Sequence, residues 1–379
     1  MTPNGDFCRY IRDGFAVAGT SASGGVLVFV QSLLPYAKGP RWEPTLRSLE
    51  DWLSGRPARR LFRLNPLEVA RELGLDPGTT VDAFLAGVLE GWFDLRWDFH
   101  CPQCGGVPHH SSHLSGAAAE GECVNCHVEF RNALDHNVEV TFSAAPRLAA
   151  FQPGEQDELL ASYHMNLLHT PWNATKRLSG LDLLHRPLFH ERFSDDVLSA
   201  EENLEIRQVV FLFTDIKGST ALYEQLGDAK AYNLVRDHFK VLFDAVEKNQ
   251  GVVVKTIGDA VMASFLQPSL ALEAALTVHQ TIDALKIPGT DESVVVKMGI
   301  HSGPAIAVTM NQRFDYFGQT VNKAARIQGL AQDQEIYFSE AVFQDAASRK
   351  TLTSRKAAVR RYRAHLKGIE GDQVVYAIQ

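Results

Sequence analysis

From Ile206 onward, short apolar runs alternate with longer amphipathic stretches, a rhythm that predicts strands alternating with helices. Val209–Phe213 reads as a buried strand, followed by a helix from Ser219 to Lys248 that Gly251 stops. Val252–Thr256 and Ala260–Phe265 form a predicted hairpin about Gly258 and Asp259, and a second helix runs from Ser269 to Leu285. Val294–Ile300 and Ala305–Val308 read as another hairpin around His301-Ser-Gly-Pro304. Gln319–Leu330 is helical, Glu335–Ser339 is extended, and strands lie near Val359–Arg363 and Gln373–Ile378. Strands alternating with helices and interrupted by two hairpins predict an antiparallel-rich sheet covered by helices, an α+β fold.

The chain before Ile206 is less regular. Residues 1–62 are poorly patterned, with Trp42, Trp52 and a basic stretch from Arg56 to Arg63; Val26–Val30 reads as a strand. Residues 65–99 predict a helical pair and a strand. Pro66 suits the first helix start, Leu67, Val69, Ala70 and Leu73 give its apolar stripe, and Gly74 ends it. The second helix runs near Thr80–Glu90, and Trp92–Phe99 follows as the strand. Residues 100–142 are cysteine-rich, and 146–205 are polar and helical with four prolines, which suits a connector. The expected division is therefore 1–145 as a mixed α/β N-terminal module, 146–205 as connector and 206–379 as a C-terminal α+β domain; the resemblance described below implies that the first is regulatory and the last catalytic.

The 379 residues allow two or three domains. A net charge of −8 argues against nucleic acid as the default partner. No apolar run approaches the ~20 residues that span a bilayer. Phe15–Leu34 is apolar only in patches, broken by Thr20–Gly25, and no convincing cleavage site follows. The expected location is cytoplasmic.

Two aspartates carry most of the candidate chemistry. Asp215 and Asp259 each follow an apolar strand and sit in a short glycine-bearing turn, so each places a carboxylate at the end of a rigid element. Gly218, Ser219 and Thr220 open a helix whose free N–H groups suit a phosphate. Two carboxylates beside a helix N-terminus can hold divalent cations against a triphosphate, which points to phosphoryl or nucleotidyl transfer. Taken singly, Asp215 also reads as a helix cap and Asp259 as an ordinary hairpin aspartate.

In order along the chain, Phe213–Thr220, Lys255–Asp259, Gly299–Gly303, Asp315–Arg326 and Leu366–Gly368 resemble the class III adenylyl and guanylyl cyclase catalytic domain. The resemblance covers Ile206–Gln379, just under half the chain, and implies a ferredoxin-like domain. It implies that Asp215 and Asp259, with the Ile216 carbonyl, hold two Mg²⁺ or Mn²⁺ ions. It implies that Arg326 neutralises the α-phosphate, Asn322 orients the ribose, and Lys367 grips the terminal phosphates. Lys255 and Asp315 match the base-reading positions. An ammonium donates to the unprotonated ring nitrogen of adenine, and a carboxylate accepts from its amine, so ATP is the expected substrate and 3′,5′-cyclic AMP with pyrophosphate the expected products. Family sites are built across a head-to-tail dimer, and this chain carries both halves, so a homodimer is implied. One departure is Pro304, where some family members carry a phosphate-binding arginine nearby; triphosphate binding then rests more on Lys367 and the backbone around Gly218.

Cys101-Pro-Gln-Cys104 and Cys123-Val-Asn-Cys126 are two knuckles eighteen residues apart, the spacing of a four-thiolate zinc ribbon with one structural Zn²⁺. Disulfides or a redox pair are the alternative reading. Cys8 is left over, and His109, His110, His113 and His127 read as loop residues rather than ligands. Leu67–Leu75 looks like part of a helix-turn-helix, yet residues 101–140 set several acidic side chains against the single Arg131, and phosphate contact needs a basic face. The arrangement before Ile206 is similar to an uncharacterised domain found ahead of bacterial cyclase domains. Three readings compete with an ATP-using cyclase: a cyclase acting on GTP or a pyrimidine triphosphate, a non-catalytic nucleotide-binding regulator, and a ribbon-based nucleic-acid regulator.

Overall fold

A computed structural model describes residues 26–37, 39–193, 198, 199, 201–310 and 313–379; Cys8 lies outside them. Val26–Leu33 is a helix (α1), not the strand its β-branched residues suggest. Helical spacing turns Phe29, Val30 and Leu33 to one side, where all three are buried. Phe29 meets Trp92 edge-on at 5.4 Å, and the Trp42 indole donates to the Leu33 carbonyl at 3.0 Å. Trp42 begins α2 (Trp42–Leu53), a helix hidden by the weak patterning of this region.

The expected helical pair follows. In α3 (Pro66–Leu73) the Asn65 side chain accepts from the Leu67 N–H and Gly74 closes the helix at φ 65°; α4 (Pro77–Leu89) is capped by Asp76. The strand β1 (Phe93–Phe99) pairs antiparallel with β2 (His109–Ser111) and with β5 (Val138–Ala144). Between them, β3 (Glu120–Glu122) and β4 (Glu129–Arg131) form a hairpin enclosing the second cysteine knuckle. The segment 146–205 supplies α5 (Glu155–Leu167), α6 (Gly180–Leu184) and α7 (Pro187–Arg192). From it Leu178, Leu181, Leu184 and Phe189 join Trp97, Phe99, Phe142 and Val138 in one apolar core. Charges inside this module are paired: Arg63 meets Asp98 at 2.6 Å, and Glu139 meets His100 at 2.9 Å and Arg177 at 2.8 Å. Burial works against the Glu139 charge, but those two partners hold its carboxyl below the usual range.

The C-terminal sheet begins with β6 (Leu204–Ile216). The single helix expected after it is broken at Gly227 (φ 72°, ψ 157°), giving α8 (Ser219–Leu226) and α9 (Asp228–Lys248). The hairpin β7 (Val252–Ile257) and β8 (Ala260–Phe265) precedes α10 (Pro268–Thr281). Next come β9 (Val296–Met310), β10 (Arg313–Phe317), α11 (Gln319–Gln328), β11 (Ile336–Ser339), α12 (Glu340–Gln344), α13 (Ala346–Ser354), β12 (Val359–His365) and β13 (Asp372–Ile378). Strand order is β12-β13-β11-β9-β6-β8-β7, with β10 paired to β9. Side chains from α8–α10, α12 and α13 share a core with one set of sheet residues, including Val210 and Leu212. The alternate residues Val209, Phe211 and Phe213 share theirs with Tyr316 of β10, Ala324 of α11 and the N-terminal module.

The hairpin expected around His301–Pro304 is absent, because β9 runs straight through it. Proline lacks the N–H a ladder needs, and here it falls at a register shift between Ile206 and Val209 on the facing strand. The displaced β6 residues are not orphaned: the N–H groups of Arg207 and Gln208 donate to the two carboxylate oxygens of Asp135, each at 2.9 Å. A bulge thus admits the proline and ties the sheet to the N-terminal module.

Candidate active site and metal centre

At the end of β6, Asp215 stands beside the β7–β8 turn that carries Asp259. That turn is two residues long, and Gly258 supplies its left-handed position at φ 64°. The Ile216 N–H donates to Asp259 Oδ2 at 3.1 Å, so the turn is stitched to the strand end and both carboxylates face one place. Tyr223 on α8 looks onto them: burial, then Asp259 and Asp215, push its phenol pKa up. Gly218 starts α8 at φ 70° with no side-chain cap, leaving its first N–H groups without a side-chain acceptor. Ser219 is half-buried and Thr220 exposed on that first turn. Two carboxylates beside main-chain atoms offer hard oxygen donors, the set that suits Mg²⁺ or Mn²⁺.

A second group forms where β7 approaches β10. The Lys255 ammonium donates to Asp315 Oδ2, and the other oxygen of Asp315 accepts from the Tyr316 N–H at 2.8 Å. Asp315 is buried, so its charge rests on these two donors. Residues sixty apart in sequence are thereby joined in one donor–acceptor pair.

The third group lies on α11. Gly299 of β9 lets this helix come close, since a Cβ there would stand 2.1 Å from the Gln328 nitrogen. Ile327, Leu366 and Val375 bury together and pin α11 to the β12–β13 turn. In consequence the Arg326 guanidinium lies against Gly368, next to Lys367. Asn322 and Lys367 are exposed and Arg326 is half-buried. Among the described residues none of the three side chains has a hydrogen-bond or ion-pair partner, so two adjacent cations stand uncompensated. Among the described residues no hydrogen bond or ion pair joins this group to Asp215 or Asp259.

In the N-terminal module the four cysteines converge. Cys101 and Cys126 Sγ are 3.6 Å apart, Cys104 and Cys123 Sγ are 3.5 Å apart, and all four sulfurs lie within 4.8 Å of one another. A tetrahedron with ~2.3 Å metal–sulfur bonds has sulfur–sulfur edges of about 3.8 Å, so four thiolates here can hold one metal ion. Burial pushes the Cys104 thiol up to about 12, a cost that a bound cation removes by replacing the proton.

Compared with known proteins, residues 202–379 match the adenylate and guanylate cyclase catalytic domain, and residues 43–200 match a family of unknown function (DUF5939). Residues 202–379 are a class III nucleotidyl cyclase catalytic domain. An adenylate cyclase of Anabaena cylindrica is 28% identical over 174 residues, 41% of this chain and 35% of that protein. An adenylate cyclase of Mycosarcoma maydis is 34% identical over 160 residues, 37% of this chain and 6% of that protein. Guanylate cyclase 32E of Drosophila melanogaster is 31% identical over 151 residues, 36% of this chain and 13% of that protein. The chain therefore spans about a third or less of the length of these relatives. Among solved structures, the adenylyl cyclase CyaB of P. aeruginosa aligns with TM-score 0.41 at 20% identity, covering 47% of this chain and 96% of that one. The guanylate cyclase domain of RhGC from Catenaria anguillulae, in complex with GTP, aligns with TM-score 0.41 at 20% identity, covering 46% and 97%.

Several residues of the cyclase domain escape a linear reading. Lys297 faces Asp215 across the β6–β9 ladder, with Nζ 2.8 Å from Oδ2. His238 on α9 is fully buried near the Asp259 turn, and that burial lowers its pKa to about 4. Both follow from contacts between distant elements, which no local motif marks. Among the described residues no helix is long and apolar enough to cross a membrane.

Proposed function

We propose that the protein is an adenylate cyclase, converting ATP to 3′,5′-cyclic AMP and pyrophosphate in two composite sites of a homodimer. The observation that carries the substrate choice is the Lys255–Asp315 pair. It presents an ammonium donor and a carboxylate acceptor side by side, the complement of the adenine edge. Guanine reverses both groups, and each mismatched polar contact costs about 1–3 kcal/mol.

Asp215 and Asp259, with Ile216, would hold two Mg²⁺ or Mn²⁺ ions. When bound, these supply Lewis-acid activation of the ribose 3′-hydroxyl and charge neutralisation at the phosphates. The chain's own residues do the rest. Asn322 positions the ribose, Arg326 stabilises charge growing on the α-phosphate, and Lys367 with the first turn of α8 (Gly218, Ser219, Thr220) holds the terminal phosphates. The two uncompensated cations beside Gly368 support a polyanion there. The lack of any bond within one chain between this cationic group and the aspartates supports a second copy completing the site.

In the N-terminal module, Cys101, Cys104, Cys123 and Cys126 would bind one structural Zn²⁺; soft thiolates select it over Mg²⁺ or Mn²⁺. Residues 1–145 and 146–205 together act as the input module for the cyclase dimer.

The test is incubation of the protein with ATP, GTP, CTP and UTP in the presence of Mn²⁺. Cyclic AMP is expected as the dominant product. Dominant cyclic GMP or a cyclic pyrimidine nucleotide would overturn the base-reading argument, and no product from any triphosphate would favour a nucleotide-binding regulator.

A further inference from the structure

Between the first cysteine knuckle and the segment 169–177 lies a cavity of about 200 Å³ that the chemistry assigned so far does not use. Two features hold its walls together. Gly105 lets the segment come close, since a Cβ there would stand 2.5 Å from the Leu167 carbonyl oxygen and 2.7 Å from that of Thr170. The His169 N–H donates to the Cys104 carbonyl at 2.6 Å, with His169 itself in the left-handed region at φ 62°, a conformation uncommon outside glycine.

The lining is rich in donors. Arg177, its side chain only 5% exposed, uses Nε on the Trp172 carbonyl and Nη1 on Glu139. Among the described residues its Nη2 has no hydrogen-bond partner, and neither has the His136 ring or the Trp172 indole N–H. No aspartate or glutamate belongs to the described lining, and Glu139 behind it is held by His100 as well as Arg177. A buried guanidinium with an unused nitrogen suits an anion. The Trp172 ring, with His100 edge-on at 5.4 Å and the Arg177 guanidinium 5.4 Å from its centre, adds a planar face beside that charge.

Size and spacing narrow the class of ligand. The volume is that of about seven waters, which admits a single-ring acid and excludes a nucleotide. Among the described residues only the four cysteines converge closely enough to hold a metal, so His100, His136 and His169 are not a second metal centre. The cavity also reaches the cyclase sheet. Asn137 Oδ1 accepts the Ala133 N–H at 2.7 Å and closes a turn, in which His136 lines the cavity and Asp135 takes the Arg207 and Gln208 N–H groups of β6. A ligand that fixes His136 therefore also steadies the joint to β6.

We propose that this cavity binds a small aromatic carboxylate, and that its occupancy firms the Asp135 joint between the N-terminal module and β6. Neither half depends on which triphosphate the catalytic domain uses.

The experiment titrates the full chain, with zinc supplied, with benzoate by calorimetry and follows hydrogen exchange in peptides covering residues 204–209, both without nucleotide. Benzoate is expected to bind with a dissociation constant of about 1 mM or tighter, and the neutral benzamide about 10-fold more weakly. Saturating benzoate is expected to slow exchange at Arg207 and Gln208 by about 3-fold or more. Trp172→Leu removes the planar face, and Arg177→Lys keeps a charge for Glu139 but gives up the spare nitrogen. Each is expected to weaken benzoate binding by about 10-fold or more. Trp172 is half-buried in a single 3₁₀ turn, so its replacement leaves the module's core intact and carries the test if Arg177→Lys does not fold. No saturation by about 10 mM benzoate, or benzoate binding unchanged in the folded variants, overturns the site. Binding without slower exchange overturns the coupling to β6.

Discussion

Lys255 and Asp315 show how much a single residue's role depends on its partner. Each is one charged side chain in a strand, and the pair has meaning only because β7 and β10 meet. Lys255→Gln keeps an N–H donor on a side chain one atom shorter and loses the charge, so it is expected to lower kcat/KM for ATP by roughly 10- to 100-fold, corresponding to one lost polar contact and a buried Asp315 without its cation. Steady-state kinetics check this, and an unchanged kcat/KM would remove Lys255 from base reading. Asp215 and Asp259 were legible in the sequence because each ends a strand at a glycine-bearing turn, a local signal. Lys297 was not. Its relation to Asp215 exists only in the β6–β9 register, between residues eighty-two positions apart.

At the scale of elements, close approach between α11 and β9 sets the position of Asn322 and Arg326. Gly299→Ala would drive a Cβ into the Gln328 backbone, which a side-chain rotation cannot relieve. Overpacking of this kind costs about 1–3 kcal/mol, and the shift of α11 it forces is expected to cut kcat at least 10-fold. Wild-type kcat in Gly299→Ala would mean that the helix position is not critical. Periodicity recovered most elements of the cyclase domain, since its strands and helices are long and bounded by Gly and Pro. It failed where tertiary context overrode a local signal. Ser-Gly-Pro at residues 302–304 reads as a turn, but the bulge opposite on β6 accommodates the proline inside a strand. Val26–Val30 reads as a strand by β-branching, but burial of Phe29, Val30 and Leu33 against two tryptophans makes it helical. α2 was missed because its Trp42, Leu46, Leu49 and Leu53 stripe is diluted by Pro44 and charged neighbours.

Across the whole molecule, the ribbon and the cyclase domain are joined through a few main-chain bonds just past the second knuckle. The Leu134 N–H donates to the Glu205 carbonyl at 2.8 Å, and the Glu205 N–H donates to the Asn132 carbonyl at 3.0 Å. Asp135 takes the two N–H groups of the β6 bulge, and Arg131 meets Glu205 at 2.9 Å. The α6–α7 region adds a second seat, with His190 edge-on to Phe314 at 6.0 Å on the strand that bears Asp315. A metal held by the four cysteines would therefore also order the start of the first cyclase strand. Stripping it with a thiol-competitive chelator is expected to lower the thermal midpoint by roughly 5–10 °C. An unchanged midpoint would show that the four thiols need no metal. The cysteine spacing announced this site in the sequence, whereas the weld to β6 is a property of the assembled chain.

The central claim is a pocket shared between two copies, and it is tested most directly by mixing inactive chains. Asp259→Ala and Arg326→Ala should each dimerise and each be inactive in cyclic AMP production from ATP and Mn²⁺. In an equimolar, re-equilibrated mixture, half of the dimers carry one intact site of two, so about a quarter of the wild-type rate is expected. A mixture as inactive as its components would contradict the account.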